Sequence, residues 1–121
     1  MSERPHKNLL VWQKSVELAK EIYELTKKFP ETEKYGLVTQ IRRAVISVSS
    51  NIAEGCARQS SKEKIQFFFI SRGSLSEMDS QIEVSKKLNY ISEQDTAVML
   101  DKINEVNRLL NGLINAQRRK L

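Results

Sequence analysis

The sequence predicts an all-α fold in which four helices pack as an antiparallel up-down-up-down bundle. Apolar residues recur at helical spacing in four segments, two serines stand where helix N-caps belong, and few residues join the segments. Short links make consecutive helices antiparallel neighbours. A chain of 121 residues is one domain by length, so we expect a flexible polar tail at 1–8 and the bundle at 9–118.

The first helix is predicted at about 9–28, and it carries two adjacent apolar stripes. The stripes are Val11, Ser15, Leu18, Ile22, Leu25 and Trp12, Val16, Ala19, Tyr23. Charged residues fill the other face, which is typical of an amphipathic helix with a wide buried side. Phe29-Pro30 ends the helix, because the residue before proline is pushed out of helical geometry.

The second helix is predicted at about 35–54. Its apolar residues keep helical spacing: Leu37, Ile41, Val45, Val48 and Ile52. Ser47, Ser49, Ser50 and Asn51 lie among them and weaken an isolated helix, so neighbouring helices must hold this one. Small side chains also let those neighbours approach closely. Gly55 is expected to end the helix as a left-handed C-terminal cap.

The third and fourth helices begin at recognisable caps. Ser60, followed three residues later by Glu63, predicts a capping box and a helix over about 61–88. Gly73 lies inside that helix, and we expect another backbone to come near it. Ser92 predicts the start of the last helix, at about 93–118, with Glu93 in the first turn, where the helix dipole favours a carboxylate.

The chain has few of the side chains that catalysis and metal binding need. It contains one histidine and one cysteine, which cannot supply a di-iron centre, a structural zinc site or an internal disulfide. His6 lies in the tail and is expected to be solvent-exposed, and Cys56 has no neighbouring base. We therefore expect no cofactor, no metal and no enzymatic activity.

The sequence also indicates where the protein resides. It has no secretory signal and no apolar run of membrane-spanning length, so we expect a cytoplasmic protein that does not enter a membrane.

Five polar residues have two open interpretations, namely an anion-binding or partner-binding site and a structural polar network. They are Arg43, Asn51, Glu54, Arg72 and Glu77. Glu54 lies in the last turn of its predicted helix, where the dipole disfavours a carboxylate by about 0.3–1 kcal/mol, so another group should hold it. If the second and third helices form a hairpin, Arg43 comes within about one turn of Glu77, which predicts an ion pair or a shared hydrogen-bond network between them.

The order of short motifs resembles the bacterial four helix bundle protein family, also called the 23S rRNA-intervening sequence protein family. The motifs are Val11-Trp12-Gln13, Phe29-Pro30, Gly36-Leu37, Gln40 to Ala44, Ser47 to Gly55, Gly73 to Glu77 and Leu88 to Ile91. The resemblance implies that the bundles assemble into a ring, a homopentamer. The family has no established catalytic residues to carry over to this sequence. The chain is also similar to accessory proteins of diversity-generating retroelements, which implies binding of nucleic acid and of a reverse transcriptase.

Charge and apolar surface suggest a function in binding. The first helix carries two apolar stripes where packing against one partner needs fewer, and the third carries aromatic residues all round near its start. This surplus apolar surface indicates a homo-oligomer, with a monomeric bundle that has a thick core as the alternative. A net charge of +5 and a pI near 9.4 allow an anionic partner, with candidate phosphate contacts at Arg42, Arg43, Arg118, Arg119 and Lys120. Exposed stacking aromatics are not evident, and base-specific readout is not expected. We predict a non-enzymatic oligomer that binds RNA, DNA or a nucleic-acid-bound protein. The alternative is a structural or protein–protein interaction module.

Overall fold

Four α-helices make up most of residues 4–121, the part of the chain that the computed structural model describes. They are α1 (Leu10–Thr26), α2 (Leu37–Ala57), α3 (Ser61–Lys87) and α4 (Glu93–Arg118). Short 3-10 turns precede α1 at Pro5–Asn8 and α2 at Glu31–Glu33. Over these same residues the fold is all-α with no strand, and none of its helices is long and apolar enough to cross a membrane.

One hydrophobic core receives side chains from all four helices. Leu18 of α1, Ile52 of α2, Phe68 of α3 and Leu110 of α4 are each almost completely buried. Full burial of a side chain of this size contributes about 1.5–3 kcal/mol. α1 contacts α2 and α4, and α3 contacts α2 and α4, so each helix is held on two sides.

Small polar residues join α2 to α3. The Ser74 hydroxyl donates to the Ser47 hydroxyl at 2.8 Å, and the Ser71 hydroxyl donates to the Val48 carbonyl at 2.8 Å. Ser71 is fully buried, so its hydroxyl needs this partner. Among the weak helix formers of α2, Ser47 therefore lies in a close contact with α3, as its small size predicts, whereas Ser50 is exposed.

The two serine caps form, and asparagine supplies the cap at the end of α3. The Ser60 hydroxyl accepts the Glu63 N–H at 3.1 Å, and the Ser92 hydroxyl accepts the Asp95 N–H at 3.0 Å. Asn89 has φ of 64°, and the Tyr90 N–H donates to the Ser85 carbonyl five residues earlier, which is the 6→1 hydrogen bond of a Schellman motif. Asparagine tolerates this left-handed conformation better than most residues.

The predicted cap at Gly55 is wrong, because α2 continues through it to Ala57 and no glycine among residues 4–121 has a positive φ. A Cβ at position 55 would lie 2.6 Å from Phe68 Cε1 and 3.1 Å from Phe67 Cβ. Gly73 is the opposite case, since a Cβ there would meet nothing within 4 Å. Thus Gly55, and not Gly73, marks the close approach of another element.

The region before α1 also differs from the prediction of a flexible tail with a solvent-exposed histidine. Residues Pro5–Asn8 form a 3-10 turn that contacts both α1 and α2. His6 is half-buried, and its ring meets the Trp12 ring edge-on with centroids 4.8 Å apart. Residues 1–3 of the predicted tail lie outside the described residues.

The second apolar stripe of α1 is only partly covered. Val16 and Tyr23 lie two turns apart on one face of α1 and are 41% and 37% exposed. On α2, Ile46 is 44% exposed. It lies one turn after Arg42, whose guanidinium stacks on the Tyr23 ring. We call Val16, Tyr23 and Ile46 the α1–α2 apolar face.

Candidate nucleic-acid interface

Basic side chains gather where the end of α2, the start of α3 and the end of α4 meet. The Ser61 hydroxyl of α3 donates to the Gln117 amide oxygen of α4 at 2.8 Å, and Lys64 donates to the Cys56 carbonyl of α2 at 3.0 Å. Arg118 of α4 lies over the Phe69 ring of α3. We call the cationic side chains at this end of the bundle, on both the α2 side and the α4 side of α3, the basic face: Arg58, Lys62, Lys64, Arg72, Arg118, Arg119 and Lys120.

The basic face accounts for the net positive charge of the chain. Its seven cationic side chains have two acidic neighbours in sequence, Glu54 and Glu63. Removing these nine residues from the 20 basic and 15 acidic residues of the chain leaves thirteen of each sign. The rest of the protein is therefore electrically balanced, and an anion is attracted mainly to this face.

Aromatic rings hold three of the arginines in place. The guanidinium carbon of Arg58 lies 4.7 Å from the Phe67 ring centroid, and those of Arg72 and Arg118 lie 4.7 and 5.4 Å from the Phe69 centroid. Such cation–π contacts are worth about 0.5–1 kcal/mol at exposed sites. Because Phe69 is 37% exposed, the expectation that no exposed aromatic would be evident is wrong.

The predicted phosphate contacts fall into separate places. Arg118, Arg119 and Lys120 belong to the basic face and are exposed. Arg42 instead donates from Nε to the Thr26 hydroxyl at 2.9 Å and from Nη2 to the Tyr23 carbonyl at 3.3 Å. The Arg42 guanidinium also lies over the Tyr23 ring. Arg42 therefore links α2 to the end of α1.

Arg43 is also apart from the basic face and does not form the predicted pair with Glu77. It is exposed, and no ion pair or side-chain hydrogen bond within residues 4–121 joins the two. Glu77 accepts instead from the Gln81 amide at 3.2 Å, one turn along the same helix. Neighbouring positions along two helices do not suffice for contact, because each side chain also needs the matching rotation about its helix axis.

The five polar residues singled out in the sequence do not form one network. Asn51 donates to the Ser47 carbonyl at 2.9 Å and to the Ser47 hydroxyl at 3.0 Å. Glu54 pairs with Arg58 one turn later at 3.0 Å, which supplies the group that its position near the end of α2 requires. Asn51 and Glu54 therefore belong to different clusters, the α2–α3 serine contact and the basic face.

Sequence reasoning missed Arg58 and Phe69, and it singled out Arg72 only as one of the polar residues with two open interpretations. The signal for one pair was present, because Phe69 and Arg72 are three residues apart on a helix, a spacing that brings side chains together. Arg72 also donates to the Asn111 amide oxygen of α4 at 3.0 Å. That contact joins residues from different helices, and no local spacing indicates it.

A second surface feature is an open groove between α1 and α4 of about 550 Å³. Its apolar floor contains Leu25, Val98 and Met99, and seven charged side chains surround them. Two ion pairs cross between the same helices beside the groove, Lys14 with Glu105 and Lys102 with Glu21.

The half-buried thiol of Cys56 has the character of a structural side chain. Burial raises its pKa above the ordinary value, and the Lys64 ammonium opposes that shift. A raised pKa leaves less of the nucleophilic thiolate at neutral pH. Across residues 4–121, no three side chains of the histidine, cysteine, aspartate and glutamate types are grouped so that they could hold a metal ion.

Comparisons with known proteins agree with the resemblance noted in the sequence. A crystal structure of a protein of unknown function from the S23 ribosomal protein family of Bacteroides thetaiotaomicron is similar, with a TM-score of 0.81 and 27% sequence identity. The match covers 87% of this chain and 98% of that one. Comparison with curated proteins found no match. The sequence model of the 23S rRNA-intervening sequence protein family matches residues 7–112. This chain therefore belongs to the 23S rRNA-intervening sequence protein family.

Proposed function

We propose that the protein is a non-enzymatic, cytoplasmic binding protein that holds RNA or DNA by its phosphates through the basic face. The observation that carries this proposal is the charge distribution, since the basic face contains the whole excess of positive charge. Cationic side chains release counterions when they neutralise phosphates, and this favours binding without regard to sequence. A protein already bound to nucleic acid could be recruited to the same complex.

We also propose that the protein assembles into a ring-shaped homo-oligomer, a pentamer by family resemblance, in which each subunit is an antiparallel up-down-up-down bundle. Two pairings between α2 and α3, Ser71 with Val48 and Lys64 with Cys56, support antiparallel neighbours, because rising numbers on one helix meet falling numbers on the next. The pairings Ser61 with Gln117 and Arg72 with Asn111 run in the same sense between α3 and α4. The α1–α2 apolar face supports self-association, since exposed side chains of this kind gain from burial at a subunit interface. A ring would present one basic face for every subunit.

Binding through phosphates has a characteristic dependence on salt. A protein that makes six to ten phosphate contacts loses about 10³ to 10⁵ in affinity between roughly 50 and 200 mM salt. We therefore expect strong binding at low ionic strength, weak binding at physiological salt, and little difference between sequences.

The second candidate function is a structural or protein–protein interaction module that does not bind nucleic acid. The α1–α2 apolar face and the groove between α1 and α4 favour it, since both offer apolar surface to another protein. In this case the basic face serves solubility.

Electrophoretic mobility shifts with structured RNA and with duplex DNA across a salt series test the choice. The proposal expects shifts with both at low salt that disappear as salt increases. Absence of any shift at the lowest salt would contradict it and favour the interaction module. Light scattering on a sizing column tests assembly, where elution as a 14.0 kDa monomer would overturn the ring.

A further inference from the structure

We propose that the basic face binds single-stranded nucleic acid by stacking unpaired bases against its arginine–phenylalanine pairs. This inference rests on the proposed function and names its ligand more closely. The pairs are Arg72 with Phe69 and Arg118 with Phe69.

Phe69 is the centre of the site. It projects from α3 with 37% of its surface exposed, and two guanidinium groups from different helices lie over its ring. Arg72 is additionally fixed by its 3.0 Å hydrogen bond to Asn111. These side chains are therefore ordered before a ligand arrives, which reduces the entropy lost on binding.

A guanidinium group held over an aromatic ring offers two kinds of contact to a nucleic acid. Its N–H edge donates to phosphate oxygens, and its planar face stacks with a base. Unpaired bases stack on aromatic rings and arginine planes with little regard to sequence. In a duplex the bases are already stacked on one another, so that only the phosphates and groove edges remain available. A single strand can therefore use both the charge and the stacking surface of this site.

Fluorescence anisotropy at low salt with the full chain tests the inference. The three probes are an oligothymidylate, an abasic strand with the same number of phosphates, and a duplex of the same length. We expect the oligothymidylate to bind about tenfold more tightly than the abasic strand, because base stacking adds to the phosphate contacts.

Phe69→Leu removes the ring while preserving an apolar side chain. It should lower the affinity for the oligothymidylate to that for the abasic strand and leave the affinity for the abasic strand unchanged. Phe69→Trp should restore the difference. Ile70→Leu is the matched control, since Ile70 is the adjacent exposed apolar residue on α3 and has no ring on which a base could stack. Circular dichroism of each variant establishes that it is folded.

Each alternative outcome excludes a different claim. Equal affinity for the oligothymidylate and the abasic strand, with binding of both, overturns base stacking and leaves phosphate binding intact. A loss on Phe69→Leu that is equally large for the abasic strand assigns Phe69 a role in positioning charge and likewise overturns the stacking claim. If no probe binds at low salt, both this inference and the proposed function fail.

Discussion

Replacing Gly55 with alanine tests the packing between α2 and α3 most sharply. Alanine normally stabilises a helix relative to glycine by about 0.5–1 kcal/mol. At this position the added Cβ would lie 2.6 and 2.9 Å from two ring carbons of Phe68, which is only 1% exposed, and 3.1 Å from Phe67 Cβ. The buried ring must move, and overpacking of this kind costs about 1–3 kcal/mol.

The two effects oppose each other, and the packing cost is the larger. We expect Gly55→Ala to destabilise the fold by about 1–2 kcal/mol. Gly73→Ala is the matched control, because it makes the same change inside α3 where nothing lies within 4 Å. It should stabilise the fold by about 0.5–1 kcal/mol, since only the helix preference of alanine acts there.

Urea unfolding followed by circular dichroism measures both variants. The comparison requires equal protein concentration, because self-association makes apparent stability depend on it. A Gly55→Ala variant as stable as the parent protein would refute the close contact with Phe68. A Gly73→Ala variant that is clearly destabilised would refute the open surroundings of that glycine.

Three further predictions follow from single contacts. Arg42→Ala should destabilise the fold by about 1–2 kcal/mol, because it removes the bonds to α1, whereas Arg43→Ala should change stability by less than about 0.5 kcal/mol in the same urea assay. The hydrogen bond that the Tyr90 hydroxyl donates to Glu33 raises the pKa of Tyr90. The stability that this bond contributes is therefore present below the ordinary tyrosine pKa and is lost as pH rises through the pKa of Tyr90 in the folded protein. Tyr90→Phe should reduce this loss of stability at alkaline pH in thermal melts. Cys56 should react with iodoacetamide more slowly than glutathione at equal pH, and equal rates would contradict its burial.

Local signals in the sequence predicted helix starts well. Ser60 and Ser92 act through hydrogen bonds to residues three positions later, so that the whole interaction is contained in a short stretch of chain. The end of α2 could not be predicted from local sequence, because glycine suits both a left-handed helix cap and a position inside a helix where another element packs closely. Only the position of Phe68, contributed by another helix, decides between them at Gly55.

The candidate site was predicted in part for the same physical reason. The run Arg118-Arg119-Lys120 is visible as a charge cluster, but its meeting with Arg58 and Arg72 depends on how three helices come together. Arg42 and Arg43 appear equivalent in the sequence. Their different roles arise from rotation about the axis of α2, which points one toward α1 and leaves the other in solvent.

The salt dependence of binding tests most directly whether the basic face holds phosphates. We would measure the affinity for duplex DNA over a salt series for Lys62→Gln/Arg119→Gln/Lys120→Gln and for a control of equal charge, Lys20→Gln/Lys28→Gln/Lys87→Gln. Each lost phosphate contact reduces the slope of log affinity against log salt by about 0.9, so the first variant should lose about 2–3 units of slope and the control almost none. Equal slopes for the two variants would contradict the account.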